Sequence, residues 1–163
     1  KSEKRLFEDT FYFLAYISSF PIILFSFYSP YIFETVFVAV AYNTQKNTLF
    51  SFNERKDMCE KVLSKYKNVE VIKLDKLTVD HAKELDAKVM LRGLRAVSDF
   101  EYEVQLSNLN RTMNPDIESI FLSPDEKYSF ISSSIIKDIA NHNGELEKFL
   151  DSYVERKVID KTS

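Results

Sequence analysis

Glycine is nearly missing from this chain. Gly93 and Gly144 are the two present in 163 residues, where average usage of about 7% would give roughly eleven. A glycine-rich phosphate loop of the usual kind is therefore excluded. Cysteine is reduced to Cys59, which rules out an internal disulfide and suits a reducing, cytoplasmic setting. Strong net charge is absent as well. A net charge of −3 and a pI near 5.5 provide no global field for nucleic acid or an anionic membrane, so an anionic ligand must be held by a few local cations. No basic face with interleaved aromatics is present, and nucleic acid is not an expected partner. The length suits one domain spanning residues 1–163, with no internal repeat and no Pro/Ser/Gly linker to divide it.

Charge is locally absent too. Residues 11–33, FYFLAYISSFPIILFSFYSPYIF, carry none and include ten aromatics, in a chain that is otherwise 29% charged. As a helix this stretch would run about 34 Å, enough to cross a hydrocarbon core, and Lys1, Lys4 and Arg5 precede it. Pro21, Pro30 and the aromatic and β-branched bias favour extended chain instead, and Ser18, Ser19, Ser26 and Ser29 dilute the hydrophobicity. Ala39-Val40-Ala41 imitates a signal-peptidase site, but Glu3, Glu8 and Asp9 and the length of the apolar run are wrong for a secretory signal. A membrane anchor is the weaker reading.

From Thr35 onward the chain alternates short β-branched runs with helical patterns, the signature of βαβ units around a parallel sheet. The expected strands are Thr35–Ala41, Val69–Leu74, Lys88–Arg92 and Glu118–Leu122. Ser51 with Glu54 forms a capping box for a helix to about Tyr66, its inner side marked by Met58, Val62 and Leu63. Thr78–Leu85 makes a shorter helix, and Ser98 with Glu101 repeats the box for a helix to about Met113. Two C-terminal helices, Ser132 to about His142 and Glu145 to about Val158, are separated by Asn143-Gly144, a natural stop.

Ligands of open α/β sheets bind at the carboxyl ends of the strands. There the chain places Asn43-Thr44-Gln45-Lys46, then Arg92-Gly93-Leu94-Arg95, then residues 123–134. Arg92 and Arg95 bracket a glycine, giving forked donors suited to phosphate oxygens beside a closely approachable backbone. The plainer alternative is a surface loop with two solvated arginines. Ser132, Ser133 and Ser134 stand at a helix mouth, where hydroxyls and unpaired N–H groups can join an anion site, although a cap alone needs one of them.

These residues also carry a family resemblance. RGLRAVSDFEYEVQLSNLNR followed by PDIESIFLSPDEKYSFISSSIIKDIA, with VAVAYNTQKNTLFSFNER upstream, resembles the phosphopantetheine adenylyltransferases from about Phe33 onward, with the motifs in order and at family spacing. The resemblance implies an α/β, Rossmann-like parallel sheet with helices on both faces. It also implies a homohexamer using Mg²⁺ and ATP to adenylylate 4′-phosphopantetheine, giving dephospho-coenzyme A and pyrophosphate, with coenzyme A a further ligand. On this likeness Lys46 and Arg92 match the cations that hold the phosphopantetheine phosphate, and Thr78 lines its arm. Gly93, Leu94 and Arg95 match the ATP-contacting turn and Glu103 an ATP-contacting carboxylate. Tyr128, Ser129, Phe130, Ile131, Ser132, Ser133 and Ser134 match the segment that closes on nucleotide and phosphates.

The family's first strand leads into a glycine-containing turn and a Gly-His helix start, whose hydroxyl and imidazole contact ATP phosphates. Counting back without a gap, the hydroxyl position falls on Leu14 and the histidine position on Ile22. No catalytic residue is recognisable in residues 10–33, and no metal ligand is assigned. His81 and His142 lie outside the motifs and read as surface residues. The segment reads as a reading-frame disturbance or a degenerate copy more than a designed anchor. Three functions are compatible with this sequence: an impaired adenylyltransferase, a non-catalytic phosphopantetheine or coenzyme A-binding module, or a variant anchored through residues 11–33.

Overall fold

The computed structural model describes residues 22–29, 32–42, 48–94, 97–123 and 129–163. Strands β1 (Ile22–Ser29), β2 (Ile32–Ala41), β3 (Val69–Leu74), β4 (Val89–Gly93) and β5 (Glu118–Leu122) form one sheet in the order β3-β2-β1-β4-β5. The helices are α1 (Phe52–Leu63), α2 (Thr78–Glu84), α3 (Val97–Met113), α4 (Ser133–Asn141) and α5 (Ser152–Thr162). Strands β2 and β3 are parallel, Val38 opposite Val71, and so are β4 and β5, Leu91 opposite Ile120. This is the expected Rossmann-like α/β arrangement, apart from one strand.

That strand is β1, where the sequence pattern predicts no element of the domain. It occupies the middle of the sheet and runs antiparallel to both neighbours, Leu24 lying opposite Phe37 on one side and Met90 on the other. Its direction has a simple cause. A parallel connection needs a crossover of a dozen or more residues, and only Pro30 and Tyr31 separate β1 from β2. The aromatic and β-branched composition that argues against a helix is what a strand requires. With residues 22–29 in the sheet, residues 11–33 do not form one spanning helix. Among the described residues no helix is long and apolar enough to cross a membrane.

Strand alternation sorts the core into two layers. Val36, Val38 and Val40 of β2 and Val89 and Leu91 of β4 pack with Met58 and Leu63 of α1, Ile136 and Ala140 of α4, and Val154 and Val158 of α5. Phe37 and Met90 point the other way, onto Val79 and Ala82 of α2 with Ala87 and Ile117. Right-handed crossovers that wind outward from the centre in opposite directions must place their helices on opposite faces. The β2-α1-β3 and β4-α3-β5 units do so.

The Ser51 capping box is present in both halves. The Ser51 hydroxyl accepts the Glu54 N–H at 3.3 Å, and the Glu54 carboxylate accepts the Ser51 N–H at 2.7 Å. Lys161 of α5 reaches the same carboxylate at 2.7 Å. The Lys161 hydrogen bond first, and the Ser51 N–H second, lower the Glu54 pKa from 4.5 to about 2. A folded-state pKa below the unfolded one adds stability above pH about 4.5 that is lost as pH falls toward about 2. Glu54 is 41% exposed, so solvent screening holds the contribution to about 0.3–1 kcal/mol. In urea unfolding followed from pH 7 to pH 2, the stability difference between wild type and Glu54→Gln should be constant above pH about 5 and shrink below it. A difference independent of pH would contradict this assignment.

Two helix starts differ from expectation, and two ends as well: α1 stops at Leu63, short of Tyr66, and α5 runs on to Thr162, past Val158. Helix α3 begins at Val97, so Ser98 falls inside its first turn instead of preceding it. The last helix begins at Ser152 and not near Glu145. Phe149 and Leu150 both donate to the Leu146 carbonyl in a single turn, and extended Asp151 then restarts the chain as an N-cap, accepting the Tyr153 N–H at 2.8 Å. The stop after α4 is as expected, although Asn143 and not the glycine adopts the left-handed conformation, at φ 55°. The Gly144 N–H donates to the Ile139 carbonyl at 2.8 Å, and a Cβ on Gly144 would lie 2.6 Å from Ile139 Cγ2. Close approach is thus the reason for glycine at 144.

Candidate functional site

Strands β2, β3, β4 and β5 end at one edge of the sheet, at Ala41, Leu74, Gly93 and Leu122. Backbone pairing continues one step past them: Tyr42 N–H donates to Leu74 and Leu94 N–H to Leu122, at 3.2 and 2.9 Å. Because β1 is reversed, its first residue, Ile22, is the one near this edge, opposite Ala39. The last residue of β1, Ser29, lies at the other edge, opposite Ile32, the first of β2. Ile22, onto which the family histidine position falls, therefore starts a strand and does not open a helix.

The strongest polar feature below the edge joins two residues given separate roles in the sequence. Arg92, on the Met90 face of β4, donates from Nε and Nη2 to the two carboxylate oxygens of Glu103 on α3, both at 2.6 Å. Their exposures are 7% and 1%. Such a planar, doubly bonded fork fixes both side chains. Beside it Thr78, the first residue of α2, faces Ser107 and Asn110 of α3 and Ser119 of β5 across a cavity of about 80 Å³, with Met90 and Leu106 as apolar walls. Small-molecule sites commonly measure about 300–1,000 Å³, so this cavity accommodates part of a ligand.

The sequence-predicted residues separate accordingly. Thr78, Arg92 and Glu103 come together around that cavity. Gly93 and Leu94 are half-buried at the end of β4, with the Leu94 amide engaged by Leu122. Ser132 is the N-cap of α4, its hydroxyl accepting the Ile135 N–H at 3.2 Å. Ile131 is buried in the core, Ser133 is half-buried, and Ser129, Phe130 and Ser134 are exposed, with the Phe130 ring edge-on to Phe149. Lys46, Arg95, Tyr128 and Leu14 lie outside the described residues.

The histidines do not join this cavity. His142 is exposed at the end of α4, as expected of a surface residue, with Nδ1 2.8 Å from the Asp138 carbonyl. His81 is more enclosed than expected. Its Nε2 is buried 3.4 Å from Asp75 Oδ1, an ion-pair separation that makes no hydrogen bond. Asp75, just past β3, has its pKa lowered chiefly by a hydrogen bond from Lys73.

Sequence reasoning missed Arg55. It lies on the inward face of α1 with Met58 and Cys59, and its Nη1 donates to the carbonyl of Ala41 at the end of β2, at 3.0 Å. The signal was legible as an arginine three and four residues before apolar positions on one helix stripe. Ser107, Asn110 and Ser119 were missed as well: they lie inside the family-like motifs, but no signal there assigned them a role.

Among the described residues no cluster of three or more His, Cys, Asp or Glu could hold a metal ion. The arrangement is one of fixed cations and hydroxyls near an open sheet edge, the equipment of phosphate positioning more than of covalent catalysis. The sequence model of the cytidylyltransferase-like family matches residues 30–139. That stretch runs from just ahead of β2 into α4, and β1 lies before it.

Proposed function

Since the chain belongs to the cytidylyltransferase-like family, within the nucleotidyltransferase superfamily, we propose that it binds ATP and 4′-phosphopantetheine in the manner of a phosphopantetheine adenylyltransferase. On this reading its turnover to dephospho-coenzyme A and pyrophosphate is impaired. The observation that carries the substrate assignment is the convergence of Thr78, Arg92 and Glu103 on one cavity below the sheet edge. These are three positions that the family likeness assigns to substrates. Lys46, Gly93, Leu94, Arg95 and the segment from Tyr128 to Ser134 complete the proposed site. By the same likeness Mg²⁺ would accompany the triphosphate of ATP.

Attack of one phosphate on the α-phosphorus of ATP needs positioning and charge stabilisation more than covalent help. Arg92, held by Glu103, is oriented for the first task. A non-catalytic module that retains phosphopantetheine or coenzyme A is the second reading, favoured by the reversal of β1, which places its last residue, Ser29, away from the binding edge. Self-association, a hexamer by family likeness, is supported by the apolar stripe Tyr102, Leu109 and Met113 on α3 and by Ile120 and Leu122 on β5, all exposed.

Calorimetry on the full chain tests the substrate assignment. Wild type should bind 4′-phosphopantetheine saturably, and Thr78→Phe, which fills part of the cavity, should weaken that binding about tenfold or more while ATP binding persists. Absence of saturable binding of either compound to folded wild type would overturn the proposal. Pyrophosphate release separates the two readings, a binding module giving none.

A further inference from the structure

A guanidinium removed from water is costly unless a countercharge accompanies it, which is why buried cations are normally paired. Arg92 obeys that rule through Glu103. Among the described residues Arg55 has no such carboxylate. It is 4% exposed, its Nε is buried without a hydrogen-bond partner there, and its Nη1 donates to the neutral Ala41 carbonyl. Burial lowers its pKa, and what opposes that shift is Cys59 and not a carboxylate. Cys59 cannot serve as the counter-ion, because its own burial raises the thiol pKa to about 12 and keeps it neutral.

The residue's address is informative. Ala41 ends β2 beside the central strand from which the sheet winds outward in both directions, and ligands of open α/β sheets bind outside the strand ends at that switch point. The guanidinium also lies 6.0 Å from the centre of the Phe52 ring, but neither that ring nor the Ala41 carbonyl carries a negative charge to balance it. Among the described residues no carboxylate balances this charged fork, and an anion bound from outside the chain would do so.

We propose that Arg55 is the countercharge for a ligand phosphate at the carboxyl end of β2, an anion anchor additional to Arg92. The inference rests on the nucleotidyltransferase reading for the source of that phosphate, which is either the triphosphate of a nucleotide or the phosphomonoester of the acceptor.

The test titrates the full chain with ATP, with 4′-phosphopantetheine and with inorganic phosphate, comparing wild type with Arg55→Gln and Arg55→Lys. Losing one charge-assisted contact should weaken binding of the phosphate source that uses Arg55 about tenfold or more. Arg55→Lys should recover part of the loss, and the compound affected identifies the source. In unmutated protein carrying ¹⁵N-arginine, saturating phosphate should also move the Arg55 Nε–H resonance, assigned through its correlation to the Arg55 backbone. This second measurement stands even where the variants do not fold.

Wild-type affinities in folded Arg55→Gln for all three compounds, or an unmoved Arg55 resonance at saturating phosphate, would overturn the inference. Phosphate binding at Arg55 without binding of ATP or phosphopantetheine would overturn the functional reading alone. Failure of wild type to bind any of the three would overturn both.

Discussion

Glu103→Ala is expected to cost about 3–5 kcal/mol of unfolding free energy, because it leaves the Arg92 guanidinium desolvated without its carboxylate. The expectation comes from geometry: two 2.6 Å bonds in a planar fork, between side chains almost wholly removed from solvent. The same two residues would behave very differently on the surface, where an ion pair contributes about 0–1 kcal/mol. Arg92→Met combined with Glu103→Leu should recover most of the loss, since replacing both members of a buried pair by apolar groups of similar volume is often neutral or stabilising. Urea denaturation of the two single variants and the double variant closes the thermodynamic cycle. A loss below about 1 kcal/mol in Glu103→Ala would place the pair in effective contact with water and contradict the burial of both side chains.

That pair also marks where sequence reading ends. Val69–Leu74 and Glu118–Leu122 were legible with their final bounds because apolar alternation and flanking polar residues are local signals. So was the Ser51 box, which needs only four consecutive residues. The fork between Arg92 and Glu103 was not, because it depends on how α3 lies across β4, and each residue alone reads as a ligand contact. Arg55 was visible as a charge on an apolar helix stripe, but its lack of a described countercharge is a statement about every neighbouring element. The strand character of residues 22–29 was half legible. Composition favoured extended chain over helix, yet propensity carries no direction. Only the shortness of the link through Pro30 and Tyr31 dictates that β1 opposes β2.

Direction is what governs the largest functional effect. A chain in which residues 8–32 carry a family-type Gly-Thr-Phe-Asp-Pro turn and a Gly-His helix start should release pyrophosphate from ATP and 4′-phosphopantetheine about 10²–10³ times faster than the unaltered chain. That is the usual effect of one preorganised donor to developing negative charge. A strand parallel to β2 and β4 would end at the same edge as Ala41 and Gly93, and the turn after it would meet the phosphates. As β1 stands, that edge receives Ile22, and Ser29, the last residue of β1, lies at the opposite edge. The hydroxyl, the imidazole and the close-approaching glycine N–H groups of the family turn are therefore lost together. Their losses act as a unit and do not multiply, so one factor of about 10²–10³ is a floor that an assay resolves easily. A control chimera with alanine at the new histidine should lose most of the gain while binding ATP as before, which separates restored chemistry from restored folding. Equal turnover in the original chain and the chimera would mean that another group does the work. Enclosed His81 would then be the first to test, with His81→Ala expected to abolish an activity that the N-terminal segment does not supply.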